Sequence, residues 1–191
     1  SAAAWHLGYL DRALSGRVPL WLPAGLRLPD GLRPVVSVAR IDWPPPAWDQ
    51  LGPTPGLLAR RGLDLVSWST GLPAFGPEAL VVQLAARPAS FEPWSDLVAH
   101  LDTLVADVDD GRLVSLLDGQ SASTWQRAAY LIHAGGHPQR GLDVLDRRPP
   151  RGMPIARFTR SQARADGGLW VPEYRLMDQL ISPTQQLIGK A

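Results

Sequence analysis

The central part of the chain, from Gly76 to Gly135, is a succession of segments that each carry the signals of an amphipathic helix. Gly76-Pro77-Glu78 opens the first segment, with proline in the first turn and an acid near the positive end of the helix. Apolar residues then recur three or four positions apart, so each helix has one face to bury. The stretch predicts several short helices that pack on one another.

The boundaries of these helices follow from capping residues and helix breakers. The first helix ends at Arg87-Pro88, because proline cannot continue a helix. Ser and Asp are favoured as N-caps, and paired glycines are a stop signal. The further predicted helices are residues 93–108, a helix that starts at Asp109 or Asp110, and a helix capped by Ser121 or Ser123 that ends at Gly135-Gly136.

Strand patterns lie on both sides of the helical region. Residues 19–24, 33–43 and 63–69 read as strands before it. After it, residues 155–162 and 168–176 read as a hairpin around Ala165-Asp166-Gly167-Gly168, and residues 177–191 as a short closing helix and tail. This order predicts an α+β domain, with a mixed β-sheet, a helical bundle packed against it and a C-terminal β-hairpin.

Composition narrows the class of protein. A length of 191 residues with 45% hydrophobic residues suits one globular domain, or at most two small ones. The absence of cysteine excludes disulfides and Cys-based metal sites. The apolar runs are too short to span a membrane, and no signal peptide pattern opens the chain. A cytoplasmic protein without membrane contact is expected.

The net charge of +1 hides an uneven distribution. Residues 92–118 hold seven acids against Arg112 alone, and residues 140–175 hold eight arginines against four acids. Such asymmetry gives opposite surface fields that can steer a charged partner. A pair of solvent-exposed helices coated with acids would give the same sequence pattern without any partner. The arginines of the loop around Pro149-Pro150 are the better candidates for contact with nucleic acid or an acidic partner. These are Arg147, Arg148 and Arg151.

Candidate catalytic and metal-binding patterns are weak. His133 and His137 have the spacing of two ligands on one helix face, but the glycine pair lies between them and no third ligand is evident. Asp107-Val-Asp109-Asp110 could hold a divalent ion, yet it reads more simply as a helix junction with an acidic N-cap. No nucleophile elbow, phosphate loop or dinucleotide-binding glycine pattern occurs. We therefore predict no enzyme, no metal and no cofactor.

Several segments along nearly the whole chain resemble one known family. They are the opening Ser1-Ala-Ala-Ala-Trp-His-Leu-Gly, the strands PLWLPA and VVSVARI, the segment GLPAFGPEALVVQLAARP and the helix STWQRAAYLIHAGG. Their order is similar to that of the C-terminal domain of AbiEi-type antitoxins, the antitoxin half of type IV toxin–antitoxin pairs. The resemblance implies that residues 1–191 form one such domain.

The resemblance also implies a function. In this family an N-terminal winged helix-turn-helix binds operator DNA and represses the operon, and the C-terminal domain counters a nucleotidyltransferase-like toxin, without a stable complex being required. No winged-helix segment precedes Ser1, so DNA binding is expected mainly through a domain absent from this chain. No catalytic residues carry over.

The acids of residues 92–118 are then candidates for contact with a basic toxin surface, represented by Asp102 and Asp107. Two other functions remain open. The first alternative to an antitoxin is an interaction or dimerisation module of a transcriptional regulator. The second is an enzyme of unrecognised type, such as a metal-dependent nuclease. A toxin-rescue assay separates the first of these from an antitoxin, and metal-dependent cleavage would reveal the second.

Overall fold

The computed structural model describes residues 4, 7–10, 18–23, 27–28, 30–34, 36–41, 66–67, 73–74, 76–91, 94–150, 152–158 and 168–182. The helices in these ranges are α1 (Pro77–Ala86), α2 (Trp94–Val98), α3 (Leu101–Ala106), α4 (Asp110–Leu117), α5 (Ala122–Ala134) and α6 (Pro138–Asp146). The strands are β1 (Val18–Pro23), β2 (Val36–Ile41), β3 (Val66–Ser67), β4 (Pro73–Ala74), β5 (Ala156–Arg157), β6 (Leu169–Val171) and β7 (Leu176–Asp178). The predicted α+β class is confirmed.

The described strands form three small sheets. β1 and β2 pair in parallel, and β3 and β4 pair antiparallel. Parallel neighbours need a connection of about a dozen residues or more, and residues 24–35 separate β1 from β2 in the sequence. The third sheet is mixed, in the order β5-β7-β6, with β7 parallel to β5 and antiparallel to β6.

The helix starts agree with the predicted caps. Pro77 occupies the first turn of α1, the Asp109 carboxylate accepts a bond from the Arg112 N–H, and the Ser121 hydroxyl accepts one from the Thr124 N–H. α5 ends at Gly135, as the glycine pair predicts. These boundaries are confirmed. The sequence could predict them because each depends on hydrogen bonds within one turn of helix.

Two helical features differ from the prediction. The predicted helix 93–108 is two helices, because His100 leaves helical geometry at φ −119° and ψ 18°. The apolar spacing continues unchanged across this break, so periodicity cannot reveal it. α6 was not predicted, since Pro138 after the glycine pair reads as a helix stop, whereas it occupies the first turn of a new helix.

α5 is the central element of the described core. It packs against α1, α3, α6 and β5. Ala128, Ala129, Leu131 and Ile132 are completely buried on it, and small residues at two of these positions allow close approach of the neighbouring elements. The helices α1, α3 and α6 and strand β5 of the C-terminal sheet therefore pack around α5.

The C-terminal hairpin is formed by different strands from those predicted. β6 pairs with β7 across the turn Pro172–Tyr174, and Arg175 closes that turn in the left-handed region at φ 45°. Residues 156–157, predicted to pair with 168–176, instead pair in parallel with β7. The predicted turn at residues 165–167 lies outside the described residues. The closing helix is described only at Ile181 and Ser182.

One glutamine on α5 explains part of this arrangement. Gln126 is fully buried, and its Nε2 donates to the carbonyl oxygens of Pro154 and Tyr174, both at 2.7 Å. These carbonyls precede β5 and β7, so one amide group holds both strand starts against α5. The sequence pattern could not predict this contact, because residue 126 is 28 and 48 positions away from residues 154 and 174.

Candidate partner-binding surfaces

The acidic helices, which we define as residues 94–118, carry the first predicted surface. Asp102, Asp107, Asp109 and Asp118 are exposed, and Asp96 and Asp110 are half-buried. Acids at the exposed positions contribute a negative field on this side of the chain. Three of these acids, Asp107, Asp109 and Asp110, also make hydrogen bonds that stabilise the fold. This separates them from Asp102 as candidates for contact with a partner.

Asp107 is bonded to the N-terminal segment. Its Oδ2 accepts a 2.7 Å hydrogen bond from the hydroxyl of Tyr9, a residue that is only 2% exposed. Burial, followed by this bond and the negative charges of Asp107 and Glu78, raises the pKa of Tyr9 well above its ordinary value. Tyr9 therefore remains a neutral donor, and Asp107 serves the fold as well as the surface.

Asp109 and Asp110 stabilise the start of α4. Asp109 caps the helix through its side chain, and its own N–H donates to Oε1 of buried Glu78 at 3.0 Å. Asp110 accepts two bonds from Arg140, from Nε at 3.1 Å and from Nη2 at 2.8 Å. The carboxylates that a metal-dependent nuclease would use are thus engaged in capping and pairing.

Arg140 also bonds the end of α3. Its guanidinium donates to the carbonyl oxygens of Val105 at 3.3 Å and Val108 at 2.9 Å. Its hydrogen bonds with Asp110 raise the pKa of the guanidinium, so the charge is permanent. One arginine on α6 therefore joins three elements at the α3–α4 junction.

Asp102 differs from these acids. It is exposed on α3, where its Oδ1 accepts a 2.8 Å bond from the N–H of the next residue, Thr103. No described contact joins its carboxylate to another helix. Of the two predicted toxin contacts, Asp102 is the one that can be changed without removing a described tertiary bond.

The predicted arginine loop is described in part. Arg147 is exposed at the C-terminal end of α6, Arg148 is half-buried, and Arg151 lies outside the described residues. Positive charge at this end of the helix interacts favourably with the helix dipole, so a structural role suffices for Arg147. The nucleic-acid or acidic-partner contact at these arginines stays a prediction.

A cleft that sequence reasoning missed lies beside the end of α5. It has a volume of about 280 Å³ and is lined by Tyr130, His133, Ala134, Gly136, Leu169, Val171 and Ser182. The Tyr130 hydroxyl donates to Asp178 Oδ2 at 2.8 Å and lies 3.0 Å from the Ser182 hydroxyl. Burial first, then the Asp178 charge, raises the pKa of Tyr130 well above its ordinary value.

His133, at this cleft, contacts Tyr174 rather than a second histidine. Its Nδ1 lies 3.3 Å from the Tyr174 hydroxyl, and the two rings meet edge to face. Burial, with the nearby Glu173 charge, raises the pKa of Tyr174 to about 12. Within the described ranges, no three His, Asp or Glu side chains are grouped as a metal site would require. Among the helices of those ranges, none has the length and hydropathy needed to cross a bilayer.

These observations define an α+β domain whose described polar clusters join its own elements and whose residues 94–118 are rich in acids. The AbiEi antitoxin C-terminal domain family matches residues 1–134, and the chain belongs to this family. The match covers the N-terminal strands and α1 to α5. It ends before α6 and the three-stranded sheet.

A solved structure extends the comparison to those elements. The crystal structure of the RV2827C protein from Mycobacterium tuberculosis is similar, with 56% sequence identity and a TM-score of 0.75. The alignment covers 98% of this chain and 64% of that chain, so this chain spans less than two thirds of that protein's length. No curated protein sequence gives a significant match.

Proposed function

We propose that residues 1–191 form a single antitoxin domain that counteracts a nucleotidyltransferase-like toxin in the cytoplasm. The family match over residues 1–134 carries this proposal. The toxin partner and its class come from the function that the family resemblance implies. We further propose that the domain is not an enzyme, which the use of Asp107, Asp109 and Asp110 in structural bonds supports.

Repression belongs to a longer protein in this proposal. The alignment with the solved relative covers 98% of this chain but only 64% of the relative, so the relative is longer. A winged helix-turn-helix domain outside the 191 residues would bind operator DNA, and the present domain would support autorepression. The arginines Arg147, Arg148 and Arg151 would add nucleic-acid or acidic-partner contacts, since guanidinium groups suit phosphate and carboxylate.

The acidic helices are the proposed toxin-facing surface. Asp102 and Asp107 are both exposed, and a basic toxin surface would be steered toward them by their negative field. A lasting complex is not required for this effect. Asp102 provides the sharper test, because replacing it leaves the Tyr9–Asp107 bond in place.

Growth rescue is the decisive experiment. The chain is co-expressed with the nucleotidyltransferase-like toxin encoded beside it, and growth is compared with cells that express the toxin alone. Rescue supports the antitoxin proposal. Failure by a chain that is folded, as judged by circular dichroism, means either that the proposed winged-helix domain is also needed or that the chain is the interaction or dimerisation module that the sequence left open.

Asp102→Lys tests the surface within the same assay. We expect it to reduce rescue, because it places a positive charge opposite a basic partner. Asp146→Lys is the matched control, with the same charge change on an exposed position of α6 outside the acidic helices. Equal rescue by Asp102→Lys and Asp146→Lys would reject the acidic helices as the contact while leaving the antitoxin function intact.

A further inference from the structure

The three-stranded sheet has one buried and one exposed face. Ala156, Leu176 and Val171 stand directly opposite one another on β5, β7 and β6. All three are buried, and β5 packs against α5. Because side chains alternate along each strand, the neighbouring row of residues points away from the core.

That neighbouring row combines an arginine, a methionine and a tryptophan. Arg157 is opposite Met177, and Met177 is opposite Trp170, so the three side chains project from the same side of the sheet. Arg157 is exposed, Met177 is half-buried, and Trp170 is 42% exposed. With adjacent strands roughly 5 Å apart, the Arg157 and Trp170 backbones are about 10 Å apart. We call this row the outer row.

The charge near the outer row is mainly positive. In residues 152–158 and 168–182 the exposed charged side chains are Arg157, Arg175 and Glu173, two cations against one anion. Arg175 lies at the turn that leads into β7. Ile155, two residues before Arg157, is 56% exposed but lies outside the outer row.

The strands that carry the outer row are fixed from beneath. Gln126 Nε2 bonds the carbonyl oxygens of Pro154 and Tyr174, and Arg127 Nε donates to the Arg157 carbonyl at 2.7 Å. The sheet backbone is therefore held on α5 before any partner arrives. A pre-organised surface loses little conformational entropy on binding.

We propose that the outer row binds single-stranded nucleic acid, with the Trp170 ring stacked on a base and Arg157 and Arg175 contacting phosphates. Aromatic rings on a sheet accept any unpaired base, and guanidinium groups bond phosphate oxygens in pairs. A duplex hides the faces of its bases, so the ring selects for an unpaired strand. The outer row lies beyond residue 134, where the family match ends, so this binding goes beyond the proposed antitoxin function.

Fluorescence anisotropy tests this proposal with the 191-residue chain and short labelled poly-uridine RNA or poly-thymidine DNA at low salt. We expect binding to at least one strand, with the comparison of the two identifying which sugar is preferred, and little competition from duplex DNA. Trp170→Ala should weaken binding by about 5- to 150-fold, whereas Trp170→Phe, which keeps a ring, should bind more tightly than the alanine variant. Arg157→Gln should reduce the slope of log affinity against log salt by about 0.7.

Two controls distinguish stacking from other modes. Ile155→Ala removes exposed apolar area without removing a ring, and Arg112→Gln removes an exposed charge from α4. Both should leave binding nearly unchanged. Absence of binding by the unaltered chain, equal binding of duplex, or a folded Trp170→Ala variant with full affinity would overturn the proposal. Equal losses in Ile155→Ala and Trp170→Ala would also overturn it, because binding would then depend on exposed apolar area and not on stacking of the Trp170 ring.

Discussion

The hydroxyl of Tyr9 donates a 2.7 Å hydrogen bond to Asp107 Oδ2, between residues that are 98 positions apart in the chain. The bond joins the N-terminal segment to the residue that ends α3. Tyr9 is buried, whereas Asp107 is exposed. Asp107 therefore has a structural role on the surface that we propose for the toxin, and Asp102 has none that crosses between described elements.

Tyr9→Phe removes this bond and little else. We expect the free energy of unfolding to fall by about 1–2 kcal/mol, near the lower part of the range for bonds to charged groups, because the exposed carboxylate regains water. Urea unfolding of the two chains gives the difference. Asp107→Asn keeps an acceptor and should lose less than Asp107→Ala. An unchanged urea midpoint for Tyr9→Phe would contradict the structural role.

All three tyrosines of the chain, Tyr9, Tyr130 and Tyr174, have a raised pKa that is due first to burial. The folded pKa exceeds the ordinary value of 10.0, so the folded state holds these protons more tightly than the unfolded state. Their contribution to stability is then complete below pH 10 and is lost as the pH rises through the folded pKa, about 12 for Tyr174. Stability should therefore decline above pH 10.

Tyrosinate absorbance in the near ultraviolet measures this directly. The folded chain should show no titration step near pH 10, and the chain in denaturant should show one there. A reversible step near pH 10 in the folded chain, with circular dichroism unchanged, would mean that at least one hydroxyl is freely solvated. Tyr9→Phe, Tyr130→Phe and Tyr174→Phe would then identify which one.

Arg140→Gln tests the junction between α3 and α4. The arginine bonds Asp110 and the carbonyl oxygens of Val105 and Val108, and the ion pair is about 30% exposed on each side. We expect a loss of about 1–3 kcal/mol, since solvent screens the ion pair but the two carbonyls lose donors. Arg112→Gln, an exposed charge on α4, should change stability by less than about 0.5 kcal/mol. Urea unfolding compares both with the unaltered chain.

The same contacts show what the sequence could predict. The starts at Pro77, Asp109 and Ser121 were predictable because a cap depends on residues within one turn of the helix. The parallel pairing of β7 with β5 was not predictable, because Gln126, which bonds the residues before both strands, lies far from them in the chain.

For the candidate sites, the uneven charge predicted the acidic helices. It did not predict which of their acids make structural hydrogen bonds and which do not. Asp107 and Asp102 look alike in the sequence, and only the position of Tyr9 separates them. Trp170 gave no signal either, since a strand of three residues is too short for alternation to show which face is buried. α6 did leave a signal, with Pro138 in the first turn and Leu142 and Leu145 at helical spacing.

Gly141 on α6 provides a test of the packing between α5 and α6. A Cβ at this position would lie 2.6 Å from the Ala129 carbonyl oxygen and 2.6 Å from the Tyr174 hydroxyl. Alanine favours a helix over glycine by up to about 1 kcal/mol, but the backbone carbonyl of α5 cannot move aside cheaply. We therefore expect Gly141→Ala to destabilise the chain by about 1–3 kcal/mol.

Gly152→Ala is the matched control, because a Cβ there meets nothing within 4 Å and the backbone does not require glycine. It should be neutral or stabilise the chain by up to about 1 kcal/mol, through the lower entropy of the unfolded state. Thermal and urea unfolding of the two variants should thus give changes of opposite sign or clearly different size. Equal stability of Gly141→Ala and Gly152→Ala would show that α5 and α6 are further apart at Ala129 than the structure has them.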